Sequence, residues 1–384
     1  MLAVRVHEAS TVHDLDEHAD VWDALAAAAP ALSPMLSHAW VAPFLQHNVQ
    51  APQGWRCLFA YAGDDLIGVL PVIRIVTPLP GTRLKAAFGA ETRSGYALLA
   101  AGREREALAA LLGHLSSVEP RYLWLRFCGI RDGAAILSAE QPVTVRVATM
   151  RAALHKGSAT GSVLPVRGGF ENYESGLGTN FRRNLRKARN RCERDHQASY
   201  RFIEGHEAGD PAVLQRFLDL EVTGWKGAAG TAVASNRHMV DFYTDASQRM
   251  SKRGWLEWHF LELDGALAAA HLAVRIGRSL VLVKIAYDEA YARLGPGNLL
   301  FRELAVRAFA DERVDEVNCL TTMQWHQNWA MPTVGYRDMV ITRDRPLPRL
   351  SGLVEVQGIG LARRAQATPL GASALNRVKA VLAS

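Results

Sequence analysis

Long apolar runs are missing from this 384-residue sequence. A membrane helix needs about eighteen consecutive apolar residues, and even the stretch Leu263 to Val274 is broken by Asp264 and His271. The opening residues, MLAVRVHEASTVHDLDEHAD, carry charges where a secretory signal would be apolar, so an uncleaved, cytoplasmic protein is expected. Cysteine is scarce. Cys57, Cys128, Cys192 and Cys319 are scattered, with no C-x-x-C and no histidine at zinc-ligand spacing. That pattern argues against a disulfide framework or a structural metal site and leaves buried free thiols. No Ser-His-Asp or thiol-nucleophile arrangement is discernible either, which favours direct transfer over a covalent enzyme intermediate.

What is present suits a soluble globular protein: 49% hydrophobic and 21% charged residues, in a chain long enough for two domains that each bury a core. The net charge of +6 is local. Residues 1–156 hold fourteen basic and fourteen acidic side chains, whereas Thr179 to Asp195, TNFRRNLRKARNRCERD, holds seven basic against Glu193 and Asp195. The segment from Arg343 onward is again seven to two. Excess charge so concentrated predicts one or two anion-facing surfaces rather than a generally nucleic-acid-coated protein.

Periodicity predicts helices over Asp20 to Ala29 and Ser37 to Gln46, a hairpin of Arg56 to Tyr61 and Leu66 to Ile75, a helix Glu104 to Ser116 and a strand Tyr122 to Phe127. Residues 157–170, GSATGSVLPVRGGF, read as a linker and place a domain boundary after residue 156. Beyond it are helices Pro211 to Gly224 and Asn236 to Arg253 and a second hairpin. Trp55 to Ile75, WRCLFAYAGDDLIGVLPVIRI, and Trp255 to Ile276, WLEWHFLELDGALAAAHLAVRI, share a tryptophan, a central Phe, a Gly/Asp turn and a closing Arg-Ile. The repeat predicts two copies of one α/β (α+β) unit packed as a pseudo-dimer. The expected domains are 1–156, 157–342, and a helical tail 343–384.

Strand Leu280 to Ala286, helix Gly297 to Ala310 and strand Glu316 to Leu320 form a βαβ-type unit. Its Gly-Pro-Gly-Asn turn precedes the helix, and free N–H groups at a glycine-lined helix start bind anions. Gly295, Gly297, Asn298 and Leu299 would form that cradle; a plain conformational turn is the alternative.

The order hairpin, strand, AYD..YA..GPGNLL, amphipathic helix, strand resembles the acyl-CoA-binding half of the GNAT N-acyltransferases. With the basic N-x-R-R-N-x-R-x-A-R helix of Asn180 to Arg191, it is more similar to their two-domain CelD-type branch, which is related in fold to the FemABX transferases. The resemblance implies two tandem GNAT-like domains, each a mixed twisted sheet flanked by helices. It implies acetyl-CoA or another acyl-CoA as cofactor, its pyrophosphate on Gly295, Gly297, Asn298 and Leu299 and its pantetheine along Val283, Lys284 and Ile285. Two positions depart from the family pattern: Ala292 stands where the loop commonly has Gln or Arg, and TTMQWHQNW, Thr321 to Trp329, lacks a lysine.

Acyl transfer needs a proton acceptor for the amine and a donor for the leaving thiolate. The candidate catalytic residues are Tyr287 and Asp288 at the strand end, Glu221, and His326 between Trp325 and Trp329. Asp288 capping the following turn, and His326 simply packed, are the bland alternatives. On the basic helix Phe181, Leu185, Ala188 and Cys192 form an apolar stripe that must face a core. Arg182, Arg183 and Arg186 then either hold the cofactor's 3′-phosphate or an anionic acceptor, or form a solvated face. Trp225, Lys226 and Trp325 are the remaining candidates for the acceptor pocket. The expected activity is N-acylation of an amine on a small or carbohydrate-linked acceptor. An aminoacyl-tRNA-dependent Fem-like reaction and a non-catalytic binding protein are the alternatives, and a homodimer is left open.

Overall fold

The computed structural model describes residues 3–29, 33–75, 81–86, 94–138, 144–145, 148–224, 232–343 and 345–366. The first half runs β1 (Val4–Ala9), α1 (Val12–Asp16), α2 (Ala19–Ala28), α3 (His38–Asn48), the hairpin β2 (Trp55–Ala62) and β3 (Asp65–Ile75), β4 (Thr82–Ala86), β5 (Leu98–Leu99), α4 (Glu104–Val118), β6 (Tyr122–Arg131), α5 (Ala135–Ser138), β7 (Thr144–Val145) and β8 (Ala148–Pro165). The second begins with α6 (Phe170–Ser175) and α7 (Thr179–Asp195). It continues with β9 (Ala198–Glu204), α8 (Pro211–Thr223), α9 (Arg237–Lys252), the hairpin β10 (Leu256–Leu263) and β11 (Ala266–Ile276), β12 (Ser279–Tyr287), α10 (Pro296–Ala310), β13 (Glu316–Asn318), α11 (Gln324–Asn328), β14 (Thr333–Arg343) and α12 (Pro346–Gln366).

All the strands join one mixed sheet in the order β1-β2-β3-β4-β6-β14-β8-β13-β12-β11-β10-β9, with β5 beside β3 and β7 beside β8. The order reads alike from either edge. Each half supplies an antiparallel meander, β1-β2-β3-β4 or β9-β10-β11-β12, and one parallel step, β4 to β6 or β12 to β13. The two repeated hairpins occupy equivalent places, and each has a register shift at its matching position, Ala60/Tyr61 and Leu261/Glu262. The duplication expected from the paired tryptophan hairpins is therefore present in the topology.

The last strand of each half crosses over. β8 pairs with β13 of the second half, β14 pairs with β6 of the first, and β8 and β14 pair with each other at the centre. Residues 157–165, expected as linker, are thus strand. Their Gly and Ser content weakens intrinsic strand preference, but partners on both edges impose an extended backbone. Gly161 is needed there: a Cβ would sit 2.7 Å from the Tyr336 ring and 2.9 Å from the Leu320 carbonyl.

A second seam lies between the equivalent helices α3 and α9. Trp40 is fully buried and meets Phe242 edge-on at 5.2 Å between ring centres and Tyr243 at 6.1 Å. Around it Arg249 reaches Asp16 at 2.7 Å, and Arg253 reaches Asp23 at 2.9 Å. One core consequently runs from Phe59 and Leu70 through Trp40 to Trp258 and Phe260. A separate core under α7 and α10 holds Leu185, Leu300, Phe301, Leu304 and Trp329.

Candidate active site

β12 and β13 pair only over Ser279–Val281, while β12 continues along β11 to Tyr287. Beyond Val281 the β12–β13 ladder ends and β12 runs on past it, a wedge-shaped junction in the middle of the sheet. Opposite Leu272/Ala273 the register shifts, so that Val283 is an extra residue with Leu282 and Lys284 paired around it. Such a bulge reverses which face the following side chains take. Leu280 and Leu282 face the α10 core, yet Lys284 points to α8 and α9, with its Nζ 3.7 Å from Glu221 Oε1 and 5.2 Å from the centre of the Tyr243 ring.

At the end of β12, Asp288 Oδ1 accepts the Ala290 N–H at 2.9 Å and starts a 3₁₀ turn, Glu289–Leu294. Gly295 follows in the left-handed conformation, φ 61° and ψ 50°, which L side chains reach only at a cost of about 1–2 kcal/mol. Pro296 occupies the first turn of α10, where its missing N–H is harmless and its fixed φ suits a helix. Leu300, Leu304 and Ala308 then recur at helical spacing and are buried. The Asn298 and Leu299 N–H groups both reach the Gly295 carbonyl, at 3.0 and 3.1 Å, and the Gly297 N–H has no backbone partner among the described residues. No side chain among the described residues fills the bend: a Cβ on Gly295 or Gly297 would have nothing within 4 Å. The first turn carries no acidic residue, so the positive end of the helix dipole faces open space.

The other predicted residues divide by surroundings. Tyr287 is exposed at the mouth of the wedge. Glu221 is buried: one oxygen faces Lys284 and the other accepts the Val233 N–H at 2.8 Å. Trp225 and Lys226, its expected companions, lie outside the described residues. His326 is 2% exposed, and its Nδ1 accepts the Met323 N–H at 3.1 Å. Burial holds its pKa down at about 4, so the ring is neutral at pH 7. Trp325 packs edge-on against His326 and Phe301. The thiols are buried, and burial pushes Cys319 up to about 12, so it supplies no thiolate at neutral pH.

Periodicity identified the stripe of α7. Leu185 and Cys192 are buried and Phe181 and Ala188 half-buried. Phe181 meets the Trp329 ring at 5.2 Å, and Trp329 Nε1 donates to Asn298 Oδ1 at 3.0 Å. The helix is thereby anchored to the first turn of α10. Sequence reasoning missed three of these links: Lys284 with Glu221, Trp329 with Asn298, and Arg302 on α10, which is held by Glu174 at 2.8 Å. Only the Trp329 link had a visible signal, since TTMQWHQNW stood out as an aromatic cluster.

The second half thus gathers an antiparallel meander, a parallel step over a helix, a bulged central strand and a glycine bend at that helix in one α/β arrangement. Residues 179–326 match the model of the acetyltransferase (GNAT) domain. FemX is similar in structure, with a TM-score of 0.57 at 11% identity over 86% of this chain and 96% of that one. A conserved protein of unknown function from Bacteroides thetaiotaomicron superposes with a TM-score of 0.50 at 13% identity, over 89% of this chain and 100% of its own. The C-terminal domain of a protein assigned as a lysylphosphatidylglycerol synthetase, from Agrobacterium fabrum, gives 0.51 at 9% identity, over 90% and 97%. Identities this low show a shared fold. No curated protein matches the sequence.

Proposed function

We propose that the chain is an N-acyltransferase that moves an acyl group, most simply acetyl, from acyl-CoA to an amine of a small or carbohydrate-linked acceptor. The observation that carries this reading is the unfilled glycine bend at the start of α10, set beside the wedge between β12 and β13. The Gly297 amide would take the diphosphate directly, joined by the Asn298 and Leu299 amides sharing their bonds to the Gly295 carbonyl, and Val283 to Ile285 would line the pantetheine arm. Acyl-CoA supplies a thioester carbonyl; attack by the acceptor nitrogen forms the amide bond, breaks the C–S bond and releases the thiol.

The proton from the nitrogen goes, in this reading, to Asp288, a half-buried carboxylate at the end of β12, directly or through a water. Tyr287 returns a proton to sulfur. Glu221, buried and paired with Lys284, positions α8 against β12 instead of exchanging protons with solvent. Asp288→Asn keeps a good capping side chain while removing the base, so kcat/KM for acetyl-CoA with an accepted amine should fall by about 100-fold with CoA affinity unchanged. Thiol release across a panel of amines tests the whole reading: no amine-dependent release from any acyl-CoA that binds would overturn it.

A further inference from the structure

Between α6, α7 and α10 lies a pocket of about 450 Å³ whose wall includes Arg182, Arg183, Arg186, Arg189 and Arg302, with Glu171 and Glu174 as its acidic members. Arg189 is paired with Glu193 at 3.6 Å and Arg302 with Glu174 and Glu303, so Arg182, Arg183 and Arg186 bring the positive charge that no ion pair among the described residues offsets. These groups are not equally committed. Arg302 is held by Glu174 at 2.8 and 3.3 Å and Glu303 at 2.9 Å, and lies 5.2 Å over the Phe170 ring. It forms a fixed back wall. Arg182 Nε donates to the Leu177 carbonyl at 3.1 Å and Arg183 Nη2 to Asn180 Oδ1 at 3.3 Å, which leaves most of each guanidinium's donors available. Arg186 is exposed and forms no ion pair among the described residues.

Asn298 and Arg302 are four residues apart on α10, so they share a face about 6 Å apart along its axis. Trp329 and Phe181 fasten the start of α7 to that same turn. The glycine bend and the pocket are successive stations along one helix. A concave site of this size suits one small-molecule group rather than an extended polynucleotide, and planar guanidinium forks match the oxygens of a phosphate.

We propose that this pocket is a second anion subsite, taking a phosphate monoester that enters alongside the diphosphate at the bend. For the place of its ligand in the reaction it rests on the acyltransferase reading above. The phosphate has two sources with the same chemistry, the 3′-phosphate of the CoA donor or a phosphate on the acceptor. Titration calorimetry of the full chain with CoA and with 3′-dephospho-CoA, and thermal stabilisation by inorganic phosphate, separate them. The variants are Arg183→Ala/Arg186→Ala and, as a control on the same helix outside the pocket, Lys187→Ala/Arg191→Ala.

If the donor supplies the phosphate, CoA binds at least about tenfold tighter than dephospho-CoA, and only the pocket variant erases the gap. If the acceptor supplies it, the two cofactors bind alike, while phosphate raises the melting temperature of the parent and the control but not of the pocket variant. Equal cofactor affinities with no pocket-dependent phosphate effect overturn the subsite and leave the glycine bend intact. Pocket-dependent phosphate binding without any CoA binding sinks the acyltransferase reading and leaves the subsite standing.

Discussion

The two halves of this molecule share a topology and differ where chemistry would happen. In the second half α10 begins with glycine, proline, glycine and asparagine, open space, and no acid. At the equivalent start of α4 stand Glu104 and Glu106. Glu104 Oε1 accepts the Gly102 N–H at 2.9 Å, and Arg103 is tied to Glu106 at 2.7 Å. The same helix dipole is satisfied internally in one half and left exposed in the other. The strands differ likewise: β4 pairs with β6 over Thr82–Lys85, nearly its whole length, while β12 outruns β13 by six residues, from Leu282 to Tyr287. In the proposed reading the first copy serves as scaffold and the second carries the site. Two copies can diverge in this way because their exchanged strands β8 and β14 and the α3–α9 seam stabilise both regardless of which one binds.

The comparison can be broken at several points. The seam is the most sensitive: Trp40→Ala should cost about 3–5 kcal/mol, and denaturation followed by tryptophan fluorescence and circular dichroism should remain one coincident transition. Two separated transitions would show that the halves are independent. Next comes conversion of the open helix start into a likeness of its twin. Gly297→Asp should weaken CoA binding by about 100-fold in calorimetry through charge repulsion and lost amide contacts, with the melting temperature held or slightly raised.

A further effect concerns pH. His326 has a folded-state pKa of about 4 against about 6.5 unfolded, so below pH 6.5 the unfolded chain binds the extra proton. Stability should therefore fall as pH drops from 6.5 and level off near 4, with His326 contributing about 3 kcal/mol. His326→Asn, whose side-chain oxygen can still accept the Met323 N–H, should flatten that slope in urea denaturation series. The smallest change is Glu104→Gln/Glu106→Gln. Loss of the acids from the α4 dipole should cost about 0.3–1 kcal/mol and create no second CoA site, because no open strand edge accompanies that helix among the described residues.

Much of this was legible in the chain. The twin hairpins announced the duplication, the Phe181–Leu185–Ala188–Cys192 stripe docked the basic helix, and GPGN marked the start of α10. What stayed hidden depended on partners distant in sequence. A Gly/Ser-rich stretch reads as linker when nothing local says that β13 and β14 flank it. Lys284 reads as a strand-edge residue facing the same way as Leu282 until the bulge at Val283 turns it toward Glu221. His326 looks reactive beside two tryptophans, and only its burial and the Met323 N–H show a neutral ring serving as a cap. Arg302 is one arginine among many until Glu174 and Phe170 fix it beside α7.

Hydrogen exchange with and without CoA tests the asymmetry most directly. The account predicts slowed exchange at the Gly297, Asn298 and Leu299 amides and along Leu282 to Tyr287, with residues 102–107 unchanged. Equal protection at both helix starts, or CoA binding that leaves residues 297–299 unprotected, would contradict it.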